Sequence, residues 1–401
     1  MKKMVPKALK LRIYPNTQQI QLLEKHFGCV RYVYNYFLNL KKEEYLKNKK
    51  SLNKFECSKL LTTLKQDDKT SWLSEVNSQS LQAELEHLEV AYTRFFRKLS
   101  GFPKFKSKHL DIPSFKAIQN TSIDFQNQTI KIPKFKPIKF RGNTPDTEIT
   151  PNSIVLSKNA SGQYFASIQF EAEVEELSPV TQSIGLDLGI THFIVDSNGL
   201  KTENEKFSRK KSKKLKYIQR QHAKKKKGSK KRERSRKILA KLHNDIKNQR
   251  KDFQHKLSSK LVKENQIICL EDLNVKGMVK NHKLAGAISD ASWSSFVSML
   301  KYKAEWYGRK VVFVDRFFPS SKTCSECGFI HESMPLSIRE FDCLGCGVHH
   351  DRDINAAKNI LKQGLNILSG TGIVSDVKQK HGEALVAKAK SMKRDKLLNT
   401  V

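Results

Sequence analysis

Four of the seven cysteines come as two Cys-x2-Cys pairs, Cys324/Cys327 and Cys343/Cys346, with 15 residues between them. Four soft sulfur ligands so spaced are drawn to one point by a tetrahedral zinc ion, which makes the segment a zinc ribbon. Gly328, Gly345 and Gly347 supply the turns that the two knuckles need. A redox dithiol would need only one pair. A closed set of four thiolates leaves no open coordination position, so the zinc is expected to be structural. His349 and His350 are the alternative ligands should one cysteine not serve. Cys29, Cys57 and Cys269 lie singly in apolar periodic segments. That is no disulfide framework and suits a reducing, cytoplasmic compartment.

Three acidic positions stand out. Asp187 sits inside Ile184-Gly185-Leu186-Asp187-Leu188-Gly189, a strand pattern whose other members are apolar or glycine. An ionised carboxylate is costly there unless a cation or partner meets it. An exposed turn aspartate fits poorly, because Gly189 marks the turn. Glu271 ends the buried-type strand Ile267-Ile268-Cys269-Leu270, at the carboxyl edge where α/β sheets carry their sites. Asp351 and Asp353 precede a helix, where either would serve as an ordinary N-cap. Together the acids match phosphodiester hydrolysis. Two Mg²⁺ ions about 3.5–4 Å apart activate the water and steady the leaving oxygen. A few carboxylates on separate elements suffice to hold them, since Mg²⁺ keeps several waters.

Charge names the substrate class. The 401 residues carry 75 Lys and Arg against 40 Asp and Glu, a formal net charge of +35. Such a chain repels itself unless a polyanion neutralises it, and nucleic acid is the natural one. Residues 201–260 alone hold 25 Lys and Arg against five acids. Within them Leu239, Leu242, Ile246, Phe253, Leu257 and Leu261 share one helical face. This predicts a long basic helix, or a helical hairpin broken at Gly228. No apolar run reaches the roughly 18–20 residues of a membrane span, and Lys7, Lys10 and Arg12 interrupt any signal-peptide core. A membrane partner is therefore not expected. The stripe Phe95, Phe96, Arg97, Lys98, Phe102, Lys104, Phe105, Lys106 suits base stacking with phosphate contact, or equally a core strand with solvated lysines.

Periodicity divides the chain. Residues 8–14 alternate apolar and basic as a strand, and helices follow from Asn16 to about residue 38 and over about 80–98. Residues 101–171 break into short strands punctuated by Pro103, Pro113, Pro133, Pro137 and Pro151, a pattern that predicts a small β-barrel. The expected division is a barrel from 1–15 and 101–172, a helical insertion at 16–100, an α/β nuclease domain from 183–320 and 347–366, and the ribbon at 321–346. Residues 367–401, polar and basic, are expected to form a mobile tail.

Taken together, these motifs resemble the TnpB (OrfB) proteins of insertion sequences, the relatives of type V CRISPR effectors. The resemblance is carried by Leu11-Arg12-Ile13-Tyr14-Pro15-Asn16, by Gly101-Phe102-Pro103-Lys104-Phe105-Lys106, and by Gly185-Leu186-Asp187-Leu188-Gly189-Ile190. It continues through Leu270-Glu271-Asp272-Leu273-Asn274, Arg316–Cys324 and Asp351-Arg352-Asp353-Ile354-Asn355-Ala356-Ala357. It implies an RNase H-like (RuvC) nuclease domain with an inserted zinc ribbon, a WED-like barrel and a REC-like helical insertion. It also implies an RNA-guided DNA endonuclease whose guide RNA comes from the transposon end. The target would be double-stranded DNA beside a short protein-read motif, in the prokaryotic cytoplasm at the nucleoid. By motif position Asp187, Glu271 and Asp353 carry over as ligands of Mg²⁺ or Mn²⁺, and Cys324, Cys327, Cys343 and Cys346 as the zinc set. Arg352 or Asn355 would stand behind the acids. Two other readings stay open: a non-cleaving RNA- or DNA-binding regulator of transposition or transcription, and a guide-independent, structure-specific nuclease.

Overall fold

A computed structural model describes residues 2–142, 149–335 and 337–370. They fall into two compact units, 2–174 with 214–245, and 175–213 with 246 onward. Of the tail expected over 367–401, Ile367 and Leu368 instead end a helix that begins at Arg352, and residues from 371 on lie outside the described ones.

The first unit opens with strand β1 (Lys2–Tyr14), which begins well before residue 8. Helices α1 (Thr17–Asn48), α2 (Lys54–Gln66) and α3 (Ser78–Phe96) follow, with a 3₁₀ turn at Ser71–Glu75. Asn16 caps α1 through a reciprocal capping box with Gln19, and the αL residue Lys49 ends it. The helix buries Leu23, Phe27, Val30, Tyr34, Phe37 and Leu38 at spacings of three, four and one, as its periodicity demands. Six strands complete the unit: β2 (Ser114–Ala117), β3 (Ser122–Asp124), β4 (Thr129–Lys131), β5 (Ile138–Arg141), β6 (Ser153–Lys158) and β7 (Tyr164–Glu175). They join β1 in one seven-stranded sheet, ordered β2-β6-β7-β1-β5-β4-β3. Strand β1 pairs antiparallel with β5, Ile13 opposite Phe140, so the helices are inserted in sequence between strands of one sheet.

The second unit starts with β8 (Ser183–Leu188), β9 (His192–Asp196) and β10 (Lys201–Glu203). The basic stretch forms α4 (Phe207–Lys210), α5 (Ser212–Ala223) and α6 (Lys230–Glu264), and Gly228 turns between α5 and α6 at φ +81°. Residues 214–245 of this stretch belong to the first unit, where Arg236 donates to the Ala160 carbonyl and Asn244 to Ser161. Then come β11 (Ile267–Glu271), α7 (Val275–Met278), α8 (His282–Ala291), α9 (Trp293–Trp306) and β12 (Lys310–Val314). The hairpin β13 (Glu340–Asp342) and β14 (His349–Asp351) leads into α10 (Arg352–Leu368).

The sheet order is β10-β9-β8-β11-β12, antiparallel from β10 to β8 and parallel from β8 to β12. Both faces are covered, as parallel strands require. On one face Ile184, Leu186, Leu188, Ile268 and Leu270 join Leu261, Trp293, Phe296 and Leu300 in one core. Alternation sends Gly185, Asp187, Cys269 and Glu271 to the other face, where α10 lies. Cys269, Val312, Val314 and Ile360 form a second core there.

Candidate active site

Two glycine-sized contacts fix α10 on the sheet. A Cβ at Gly185 would stand 2.1 Å from the Ala357 carbonyl oxygen, and one at Gly364 would meet the Cys269 sulfur at 2.3 Å. Only hydrogen fits at either place, so the helix backbone rides directly on β8 and β11. Asp187 is two residues beyond Gly185 on the same strand face, and Asp353 is one turn before Ala357. The parallel register pairs Cys269 with Gly185 and Leu270 with Leu186; continued one step, it sets Glu271 beside Asp187. All three predicted acids are thus gathered at the carboxyl edge of the central strands, with Asp353 in the first turn of α10.

Their electrostatics reflect the crowding. Burial, followed by the negative charges of Asp353 and Glu271, pushes Asp187 up to about 7, against the guanidinium of Arg352 and the Leu188 N–H. Burial also pushes Glu271 up to about 7, although the Ser320 hydroxyl hydrogen-bonds its charged form. Asp187 feels the charges of both Glu271 and Asp353, and carboxylates grouped in this way beside a helix N-terminus offer hard oxygen donors of the kind a divalent cation takes.

Asp351 does different work. Its Oδ1 accepts from the N–H groups of Asp353 and Ile354 at 3.1 and 3.0 Å, which makes it the N-cap of α10. Lys201 holds its other oxygen at 2.5 Å. Burial would raise its pKa, but Lys201 and the helix N–H groups outweigh burial and lower it. Neither residue expected behind the acids sits there as a simple hydrogen-bond partner. Buried Arg352 donates to the Pro335 and Ile338 carbonyls. Asn355 ties α10 to the ribbon, donating to the Thr323 carbonyl at 2.7 Å and accepting from Ser325 N–H at 2.8 Å. Asn359 donates to the Ser320 and Thr323 carbonyls. One contact had no signal in the sequence: Arg339, from the ribbon, places Nη1 3.7 Å from Asp353 Oδ1. It belongs to no spacing pattern, and only the folded ribbon brings it to the acids.

The four cysteine sulfurs lie within 4.8 Å of one another, the only group of three or more Cys, His, Asp or Glu ligand atoms that close among the described residues. A zinc tetrahedron with Zn–S near 2.3 Å has S···S edges of about 3.8 Å. Cys324 and Cys346 are 3.8 Å apart, and Cys327 and Cys343 3.6 Å. The two knuckles repeat one hydrogen-bond pattern: Gly328 N–H to Cys324 O and Gly347 N–H to Cys343 O, both glycines at positive φ. The cluster can therefore hold a zinc ion. His350 is not one of the four clustered ligands; its Nε2 lies 3.1 Å from the Cys324 sulfur, beside the set. His349 turns to Asp342 at 2.8 Å.

Comparison with known proteins identifies the family. Residues 167–282 match the family model "Probable transposase" of the OrfB type, residues 293–360 the "Cas12f1-like, TNB domain", and residues 1–50 a "Helix-turn-helix domain" of the same OrfB group. A Streptomyces pristinaespiralis protein named "Putative RNA-guided DNA endonuclease" is 39% identical over 91% of this chain and 91% of its own length. The chain belongs to the TnpB (OrfB) family. Another relative, "Putative RNA-guided DNA endonuclease InsQ" of Escherichia coli K12, is 30% identical over 90% of this chain and 93% of its own. TnpB-family membership extends to the fold: a chain of a Cas12f1-sgRNA-target DNA complex superimposes with TM-score 0.55 at 14% identity, covering 89% of this chain and 98% of that one. In this TnpB-family chain the segment matched as helix-turn-helix is β1 followed by the single helix α1. No described helix is long and apolar enough to cross a membrane.

Proposed function

We propose that the chain is an RNA-guided DNA endonuclease that hydrolyses double-stranded target DNA at one RNase H-like (RuvC) site. In this reading Asp187, Glu271 and Asp353 hold two Mg²⁺ or Mn²⁺ ions, and the four cysteines hold a structural zinc. The observation that carries it is the gathering of Asp187, Glu271 and Asp353 at the carboxyl edge of the central strands, where burial pushes Asp187 and Glu271 up to about 7. A pair of divalent cations supplies an activated water and a steadied leaving oxygen. The chain's own residues do the rest. Asp187 and Glu271 give up their protons to present a hard-oxygen face, and Asp351 with Lys201 keeps the first turn of α10 and its Asp353 in place. Arg339 brings a positive charge to the edge of the acids, where a phosphate would lie.

The names of the relatives and the complex containing the Cas12f1 chain support RNA and DNA as partners. The guide would come from the transposon end, and a short motif beside the target would be read by protein, in the cytoplasm at the nucleoid. The seven-stranded sheet reads as the WED-like barrel, and α1–α3 as the REC-like insertion.

The test is to purify the protein coexpressed with its flanking transposon DNA and sequence the bound RNA. A plasmid library matching that RNA is then offered with Mg²⁺ or with EDTA, beside Asp187→Ala. Guide-matched, metal-dependent cutting that Asp187→Ala abolishes is expected. Bound RNA without cutting would move the assignment to a regulator, and cutting without a guide to a structure-specific nuclease.

A further inference from the structure

Helix α1 carries a glycine with no packing reason to be there. A Cβ at Gly28 would meet nothing within 4 Å, yet glycine in a helix interior is less stable than alanine. Its backbone floors an open groove of about 710 Å³ whose walls are Arg31, Tyr32, Tyr36 and Trp72. The aromatic rings are organised: Tyr32 and Tyr36 stack at 5.9 Å, and Trp72 meets Tyr32 edge-on at 5.0 Å. Trp72 is 37% exposed, and its indole N–H is fixed to the Lys69 carbonyl at 3.0 Å. Arg31 has no acidic partner among the described residues. The one carboxylate of the wall, Glu75, is ion-paired with Lys25. The groove is therefore aromatic, net positive and floored by bare backbone.

We infer that this groove is a nucleobase subsite. An unpaired base of a bound strand stacks on Tyr36 and Trp72, its neighbouring phosphate meets Arg31, and Gly28 leaves room for the sugar. Every base has a π-face, so the subsite takes single-stranded RNA or DNA without reading sequence. A strand is favoured over a protein segment because the chain carries +35 and the groove offers a free guanidinium. The inference needs the chain to bind nucleic acid but not to cut it.

The experiment uses full-length Asp187→Ala protein without divalent metal, so that the fate of the nuclease assignment does not touch it. Oligo(dT) and oligo(rU) of a dozen nucleotides are titrated at 0.3 M salt, which suppresses nonspecific phosphate binding, and tryptophan fluorescence is followed. Binding is expected to quench a component that Trp72→Phe removes. Gly28→Leu fills the groove while favouring the helix, so its Tm should hold or rise as affinity falls by about fivefold or more. Tighter binding of one oligomer assigns the groove to RNA or to DNA. Unchanged affinity and quenching in Gly28→Leu, with Tm intact, overturns the inference. Were Gly28→Leu to lose Tm, Tyr36→Ala, at an exposed position, supplies the same test.

Discussion

At the residue scale, the acids make the site's pH response readable. Asp187 and Glu271 hold their protons to about pH 7 in the fold, against ordinary values of 3.8 and 4.5. Folding therefore takes up protons between these values, so the metal-free protein loses stability as pH rises from about 4 to 7, and the loss is complete above that. Asp187→Asn should raise the unfolding free energy at pH 8 by on the order of a few kcal/mol, seen as a higher Tm, and leave both nearly unchanged at pH 4. Scanning calorimetry without added divalent metal checks this, and equal Tm values at pH 8 would sink it. Arg339→Ala should lower kcat by about 10²–10³-fold, as removal of one charge-stabilising donor does elsewhere, while RNA binding stays the same. Single-turnover cleavage beside filter binding separates the two effects. Asp187 and Glu271 were legible in the sequence because each ionisable group interrupts or ends an apolar run. Between Asp351 and Asp353 local pattern could not choose, since both fit an N-cap, and only the hydrogen bonds assign that role to Asp351.

At the scale of elements, what was legible followed periodicity. The break at Gly228 and the strands β8 and β11 stand where their apolar spacing put them, and α1 starts as expected but runs ten residues past residue 38 to Asn48. Strand β1 runs six residues further toward the N-terminus than its alternation over 8–14 implied, carrying an exposed Pro6 within it. The stripe from Phe95 to Lys106 divides: Phe96 is 71% and Phe102 46% exposed, whereas Lys106 is drawn onto Glu84 at 2.6 Å. No spacing could reveal the seating of α10 on Gly185, which is a tertiary contact between distant segments. Gly185→Ala drives a methyl into a main-chain oxygen that cannot step aside, and should cost about 1–3 kcal/mol or more. Urea unfolding measures that cost, and Mn²⁺ titration should report weaker binding as Asp353 shifts. In the ribbon, native mass spectrometry is expected to find one zinc per chain, and Cys324→Ser should remove it. It should also loosen the loop that Asn355 and Asn359 grip. Retention of one zinc per chain in that variant would mean His350 had taken the vacated place.

At the scale of the whole molecule, charge dominates. With +35 on 401 residues, affinity for nucleic acid should fall about 10³-fold or more between 50 and 200 mM salt, the range for six to ten neutralised phosphates. Filter binding across that range measures the slope, and a shallow one would mean that stacking and shape outweigh charge. The order of the chain adds a matter of timing. The first unit is complete once residue 245 is made, but the third acid and the helix that covers Gly185 come only with α10, from Arg352. At roughly 5–20 residues per second, a nascent chain spends about 5–20 s with its basic body synthesised and its cutting edge unbuilt. In the proposed function, a protein still on the ribosome can take hold of its RNA while it is harmless to the chromosome beside it.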